Sequence, residues 1–210
     1  MTEYLQGRQA IYEYLYMTYY NIPDARFIEV SKKFLSVFNM LGTETNEEIA
    51  IGAEVLSDYF KENSHKSDCE LAERLNVAFT KLFSIGMELP QTENRWRAEE
   101  KGMADIIISI SNYFADAGII KPTEINVPID SYSIELFYLY RTSRSAAESE
   151  GETRDKIIDA QLNFIKDHIL CWTDNFTNAV IEKTDRTNFY HALAYLSNGF
   201  IKYDFSILDE

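Results

Sequence analysis

Apolar residues recur at offsets of three and four through almost the whole chain. No stretch alternates with a period of two, so the pattern predicts helices and no sheet. Thr2 caps a first helix reaching about Tyr20, with Leu5, Ile11, Tyr12 and Leu15 on its inner face. Asp24 caps a second, which runs through Ile28, Phe34, Leu35 and Phe38 to a stop at Gly42. Asn46 starts a third with Ile49, Ala53, Leu56 and Phe60, and the polar run 61–66 is a loop. Ser67-Asp-Cys-Glu70 has capping-box spacing ahead of Leu71, Leu75, Ala78, Phe79 and Leu82. Gly86 ends that helix, and a connector over 87–94 leads to a helix that begins near Arg95 and stops at Gly118. Beyond an exposed turn at 148–152, Ile158, Ile165, His168, Ile169, Trp172, Phe176 and Val180 form a long stripe that reads as one helix or two. Thr187 caps the last helix, with Phe189, Leu193, Leu196 and Phe200 inward.

The least polar helix opens after a loop carrying Gly118, Pro122 and Pro128, with Asp130 standing where an N-cap belongs. Tyr132, Leu136, Leu139 and Tyr140 form one row and Ile134, Phe137 and Arg141 another. Ser131, Glu135, Tyr138 and Thr142 form its only polar strip. A helix this apolar is buried on most of its circumference, and the strip is expected to face water or a cleft. The expected class is all-α: one helical-bundle-like domain over 1–210 with about eight to ten helices, divisible into two lobes near 118–130.

Composition narrows the partners. Hydrophobic residues make up 46% and charged residues 26%, which suits a globular protein, and 14 Tyr and 13 Phe suit a well-filled core. The net charge of -14 repels phosphate backbones and anionic lipid and attracts basic peptides, so nucleic acid is excluded as a partner. Cys69 and Cys171 stand apart without a pattern, as in a reducing cytoplasm. The first residues lack the basic-then-apolar order of a signal peptide, and no apolar run approaches the ~18 residues that span a bilayer. A cytoplasmic protein without stable membrane insertion is expected.

Catalytic signatures are scarce. There is no glycine-rich phosphate loop and no serine in a nucleophile-elbow context. His168 and Cys171, three apart, could form half of a metal site, but His168 lies on the apolar stripe and reads as a satisfied core histidine. His191 reads the same way, and His65 reads as solvated. Trp96 lies at a connector-to-helix junction where a groove could form. No cofactor, metal or enzymatic activity is expected.

Three segments resemble the TorD/DmsD family of chaperones for molybdenum-containing redox enzymes. Leu89-Pro90-Gln-Thr-Glu93-Asn-Arg-Trp96 is similar to the family's Pro-rich connector ending in Glu-Ser-x-aromatic. Pro128-Ile-Asp130-Ser-Tyr-Ser-Ile-Glu135-Leu-Phe-Tyr is similar to its Pro-x-Asp-His-Leu-x-x-Glu-Leu-x-Phe. Phe164-Ile-Lys-Asp-His168-Ile-Leu-Cys-Trp172, with Phe189-Tyr190-His-Ala-Leu193-Ala, is similar to its His-Leu-x-x-Trp and Phe-Tyr-x-x-Leu-Ala helices. With Leu82-Phe83 the resemblance covers roughly residues 70–203. Ser131 replaces the family's histidine and Asn94 its serine.

The resemblance implies a TorD-like all-α fold and a non-enzymatic protein that binds the twin-arginine signal peptide of a molybdopterin oxidoreductase subunit. Such a chaperone assists cofactor loading and assembly of that apo-subunit before export, and is itself a monomer or a dimer. A basic-then-apolar peptide needs carboxylates beside an apolar groove. Leu82, Phe83, Pro90, Glu93, Trp96, Asp130, Ser131 and Glu135 are the peptide-binding candidates, in a groove between the 89–96 connector and the start of the Asp130 helix. One alternative is an assembly chaperone for a leaderless nitrate-reductase-type subunit. Another, of a different class, is a metal-dependent helical hydrolase using His168.

Overall fold

The computed structural model describes all residues except 1, 21–22, 45, 85–87, 98–101, 124–125 and 210. Among the described residues there are ten α-helices and no named strand, so the fold is all-α. The chain forms two compact units. The first comprises 1–21, 91–173 and 204–210, and the second 22–90 and 174–203. The loop 118–130, where a lobe boundary was expected, lies inside the first unit.

The first unit is built on α7 (Tyr132–Glu148). Its apolar rows are buried as far as Leu139, with Tyr140 half-buried and Arg141 exposed, and its polar strip is buried throughout: Ser131, Glu135, Tyr138 and Thr142 are each at most 4% exposed, so the strip faces neither water nor a cleft. The strip is buried because its polar groups are met from inside. Thr142 and Ser143 accept from Gln161 Nε2, at 2.7 and 3.0 Å. Gln161 belongs to α8 (Gly151–Asp167). The aromatic rings of α1 (Thr2–Tyr20) close one side of α7, Tyr16 lying 5.1 Å from Phe137 and Tyr19 4.8 Å from Tyr132. From α6 (Met103–Asp116) and α8, Phe114 and Phe164 close on Tyr138. A buried ion pair ties α1 to residue 204: Arg8 donates to both oxygens of Asp204 at 2.7 Å, and Tyr4 and Tyr12 donate to the same carboxylate. The short α5 (Glu93–Arg97) completes this unit.

The second unit holds α2 (Ala25–Glu44), α3 (Glu47–Glu62), α4 (Asp68–Phe79), α9 (Thr173–Lys183) from Asp174, and α10 (Phe189–Leu208) as far as Tyr203. The caps foreseen at Asp24, Asn46 and Ser67 are formed: Asp24 Oδ1 accepts from Phe27 N, Asn46 Oδ1 from Glu48 N, and Ser67 and Glu70 make a reciprocal capping box. The last helix is capped by Asn188, which accepts from Tyr190 N at 2.9 Å, and not by Thr187. Gly42 does not stop α2. It lets α2 approach α3, since a Cβ there would lie 2.8 Å from Ala50 Cα. Gly52 likewise lets α3 meet α10. A π-helical turn, Thr80–Ser84, follows α4. The cap expected of the Thr2 side chain and the stop expected at Gly86 lie outside the described residues.

The long C-terminal stripe is two helices. It breaks at His168, and a 3-10 turn, Ile169–Cys171, follows before α9.

Candidate functional site

The connector and the start of α7 are bonded to each other directly. Glu93 N donates to Asp130 O at 2.9 Å and Tyr132 N to Gln91 O at 2.8 Å, with a bridge between Thr92 and Ser131. Asp130 is not the cap of α7; that position is Ser131, whose hydroxyl turns back to donate to Pro128 O. The Asp130 carboxylate caps α5 instead, accepting from the backbone N of Asn94 at 3.2 Å and from its side-chain amide. The two positions where the chain departs from the family's motifs, Asn94 and Ser131, are therefore neighbours in space.

Glu93 is fully buried between Arg97 and His168. Arg97 Nη1 donates to its Oε1 at 2.6 Å, the i,i+4 partner on α5, and also to Asp167 O. His168 Nδ1 donates to its Oε2 at 2.8 Å, which leaves Nε2 to accept from Ser109 Oγ at 2.9 Å. Glu135, also fully buried, accepts from Trp172 Nε1 at 3.1 Å. Burial, and then the neighbouring Glu93 carboxylate, push its carboxyl well above the usual carboxylate range; the Trp172 N–H pulls the other way and Asp130 adds to the rise. A proton kept on Glu135 spares this buried site a second negative charge beside Glu93.

This network is a clamp. All three family-like segments meet in it: Glu93 and Asn94 from the first, Asp130 and Glu135 from the second, His168 and Trp172 from the third. Glu93, Asp130, Ser131 and Glu135 are buried, while Trp96 on α5 is half-exposed. The parts played by Arg97, His168 and Trp172 were missed from sequence, although Glu93 and Arg97 carried an i,i+4 signal. In the second unit Phe83 is a core residue, packed on Phe79, Phe176 and Tyr190. Leu82 and Pro90 are half-exposed. Leu82 lines a surface cavity of about 370 Å³ together with Val77, Lys81 and Leu89, and an ion pair between Lys183 and Glu88 stands at its wall. Cys171 Sγ donates to Lys166 O and Asp167 O and both nitrogens of His168 are engaged, so this pair is committed to structure. Among the described residues no group of three His, Cys, Asp or Glu is placed to hold a metal.

The sequence model of the nitrate reductase delta subunit family matches residues 44–178, well over half of the chain. The chain belongs to that family. The family takes in the TorD-like chaperones. It is 35% identical over 94 residues to the chaperone protein TorD of Aliivibrio fischeri. That match covers 43% of this chain and 42% of the relative, so it spans under half the length of either. No solved structure matches the chain. Among the described residues no helix is long and apolar enough to cross a membrane.

Proposed function

We propose that the protein is a cytoplasmic assembly chaperone that binds the twin-arginine signal peptide of a molybdopterin-containing oxidoreductase subunit and assists cofactor loading before export. The observation that carries this reading is the joining of the three family-like segments in one buried network. In this reading Glu93, Asp130, Ser131 and Glu135 act from within, holding the connector in one shape. The half-exposed Trp96 on α5 supplies apolar contact to the peptide.

The test is calorimetric titration of a synthetic peptide carrying an Arg-Arg pair followed by an apolar segment into wild type and Trp96→Ala. Loss of a half-buried aromatic anchor is expected to weaken binding about tenfold, ~1.4 kcal/mol. Equal affinities would remove the connector from the peptide surface. The name of the matched family favours a second reading, an assembly partner of a leaderless nitrate-reductase-type subunit. Failure to bind any leader, with a raised yield of active leaderless subunit on co-expression, would select it.

A further inference from the structure

The cavity of about 370 Å³ beside Leu82 lies wholly in the second unit. It gathers positive charge in a chain whose net charge is -14. Arg74, Lys81 and Lys183 line it with one acid, Glu88, and that acid is already paired with Lys183 at 3.0 Å. Arg74 and Lys81 make no ion pair among the described residues; Arg74 gives one N–H to Asn63 Oδ1 at 3.0 Å. Two uncompensated cations therefore share one concave surface.

The local sequence brings them together. Arg74 and Lys81 stand seven apart with Val77 and Ala78 between them. Cation, apolar surface and cation thus fall on one face of α4 as it runs into the π-helical turn, a conformation that recurs at functional sites. Val77 is 68% exposed, one of the few large apolar residues so placed among the described ones. The half-exposed Leu82 continues the apolar wall, with the buried Leu89 behind it. A lysine in the last turn of a helix needs no ligand to account for it, and Lys81 and Lys183 both hold such places. Arg74 lies in mid-helix and Val77 gains nothing from a dipole, so helix ends do not account for the combination.

The walls also select the ligand. A pair of cations beside an apolar wall fits an anion that carries an apolar body. Phosphate sites draw on several backbone N–H groups, at a glycine-rich loop or a helix N-terminus. Here the start of α10 at Asn188 is set against two helix ends, those carrying Lys81 and Lys183, whose partial charge is negative. A single charge suits such a site better than two. The cavity is at the small end of the roughly 300–1,000 Å³ of ligand pockets, which is room for a small organic acid.

We propose that this cavity binds a monocarboxylate with a short apolar body, its carboxylate between Arg74 and Lys81 and its body against Val77 and Leu82. A free organic acid and the C-terminus of a polypeptide ending in leucine both present this chemistry. The site is independent of the leader-binding reading, which uses α5 of the first unit.

The test follows the methyl resonances of Val77, Leu82 and Leu89 by NMR at constant ionic strength. The probes are 4-methylpentanoate, N-acetylleucine, the neutral amide of each, and inorganic phosphate. One or both acids should shift these resonances to saturation. The amides should bind roughly tenfold or more weakly, as the charge-assisted contacts are lost, and phosphate no better than the amides. Arg74→Gln/Lys81→Gln should weaken acid binding roughly tenfold or more, and Val77→Glu, which sets an anion at the rim, should do likewise. All three side chains are exposed, so both variants should melt as wild type does. A charge-matched control at exposed lysines outside the cavity, Lys33→Gln/Lys61→Gln, should bind as wild type. Tighter binding of N-acetylleucine assigns the site to a polypeptide terminus, and 4-methylpentanoate binding as tightly or more so assigns it to a free acid. Wild type that binds neither acid, binds the amides equally well or prefers phosphate overturns the proposal. Acid binding that the cavity variants leave unchanged, or that the control reduces equally, overturns it too. None of these results bears on the Trp96→Ala titration, so the two readings fail separately.

Discussion

Glu135 shares its surroundings with Glu93 and Asp130, and Arg97 and His168 both answer Glu93. Its carboxyl keeps its proton to a higher pH in the folded chain than in the unfolded one, so the folded state binds more protons above the ordinary Glu value of about 4.3. The stability this contributes is full below the unfolded value and is lost as pH rises through the folded one. Glu135→Gln fixes the neutral form in nearly the same shape. Its melting temperature should differ least from wild type near about pH 4.5 and exceed it increasingly toward neutral pH and above. Parallel melting curves across that range would mean that Glu135 does not keep its proton in the folded chain. Arg8 makes the opposite case, a buried charge with a complete set of partners. Arg8→Met leaves Asp204 buried without its cation and should cost ~3–5 kcal/mol in urea denaturation, while Arg8→Met/Asp204→Leu should recover part of it. Neither arrangement was legible from sequence. Asp130 was misread as the cap of its own helix because the amide it caps, Asn94, lies 36 residues away.

At the level of elements, local signals were read well and close approaches were not. The caps at Asp24, Asn46 and Ser67 act across two or three residues, so spacing alone identifies them. Gly42 looked like a helix stop because glycine is common there, yet the helix runs on to Glu44 and the glycine serves a neighbour. Periodicity placed the polar strip of α7 correctly and said nothing of Gln161, whose amide makes burial of that strip tolerable. The packing glycines give a signed test. In an open helix Gly→Ala gains ~1 kcal/mol, and Gly7 in α1, with nothing within 4 Å of an added Cβ, should show that gain. At Gly52 the same Cβ would lie 2.7 Å from Leu196 Cγ and 3.0 Å from Ala192 O, so Gly52→Ala should instead lose ~1–3 kcal/mol. Thermal denaturation of the two variants checks both signs, and a gain at Gly52 would mean that α3 and α10 are less tightly apposed than described.

For the whole molecule, class and charge were readable because both are sums over residues: helical periodicity everywhere, and an acidity spread evenly along the chain. The division into units was not, because it does not follow chain order. The first unit takes its parts from the beginning, the middle and the end of the sequence. That has a consequence for how the protein comes into being on the ribosome. The guanidinium of Arg8 is made early, and its carboxylate partner is 196 residues further along. At about 5–20 residues per second, roughly 10–40 s separate the synthesis of the two. For that interval α1 exists without the group that neutralises its one buried cation, and the first unit cannot close until Asp204 has emerged. The protein thus begins its own life as an unfinished chain awaiting a late piece, and its α1 is the segment most in need of protection while it waits.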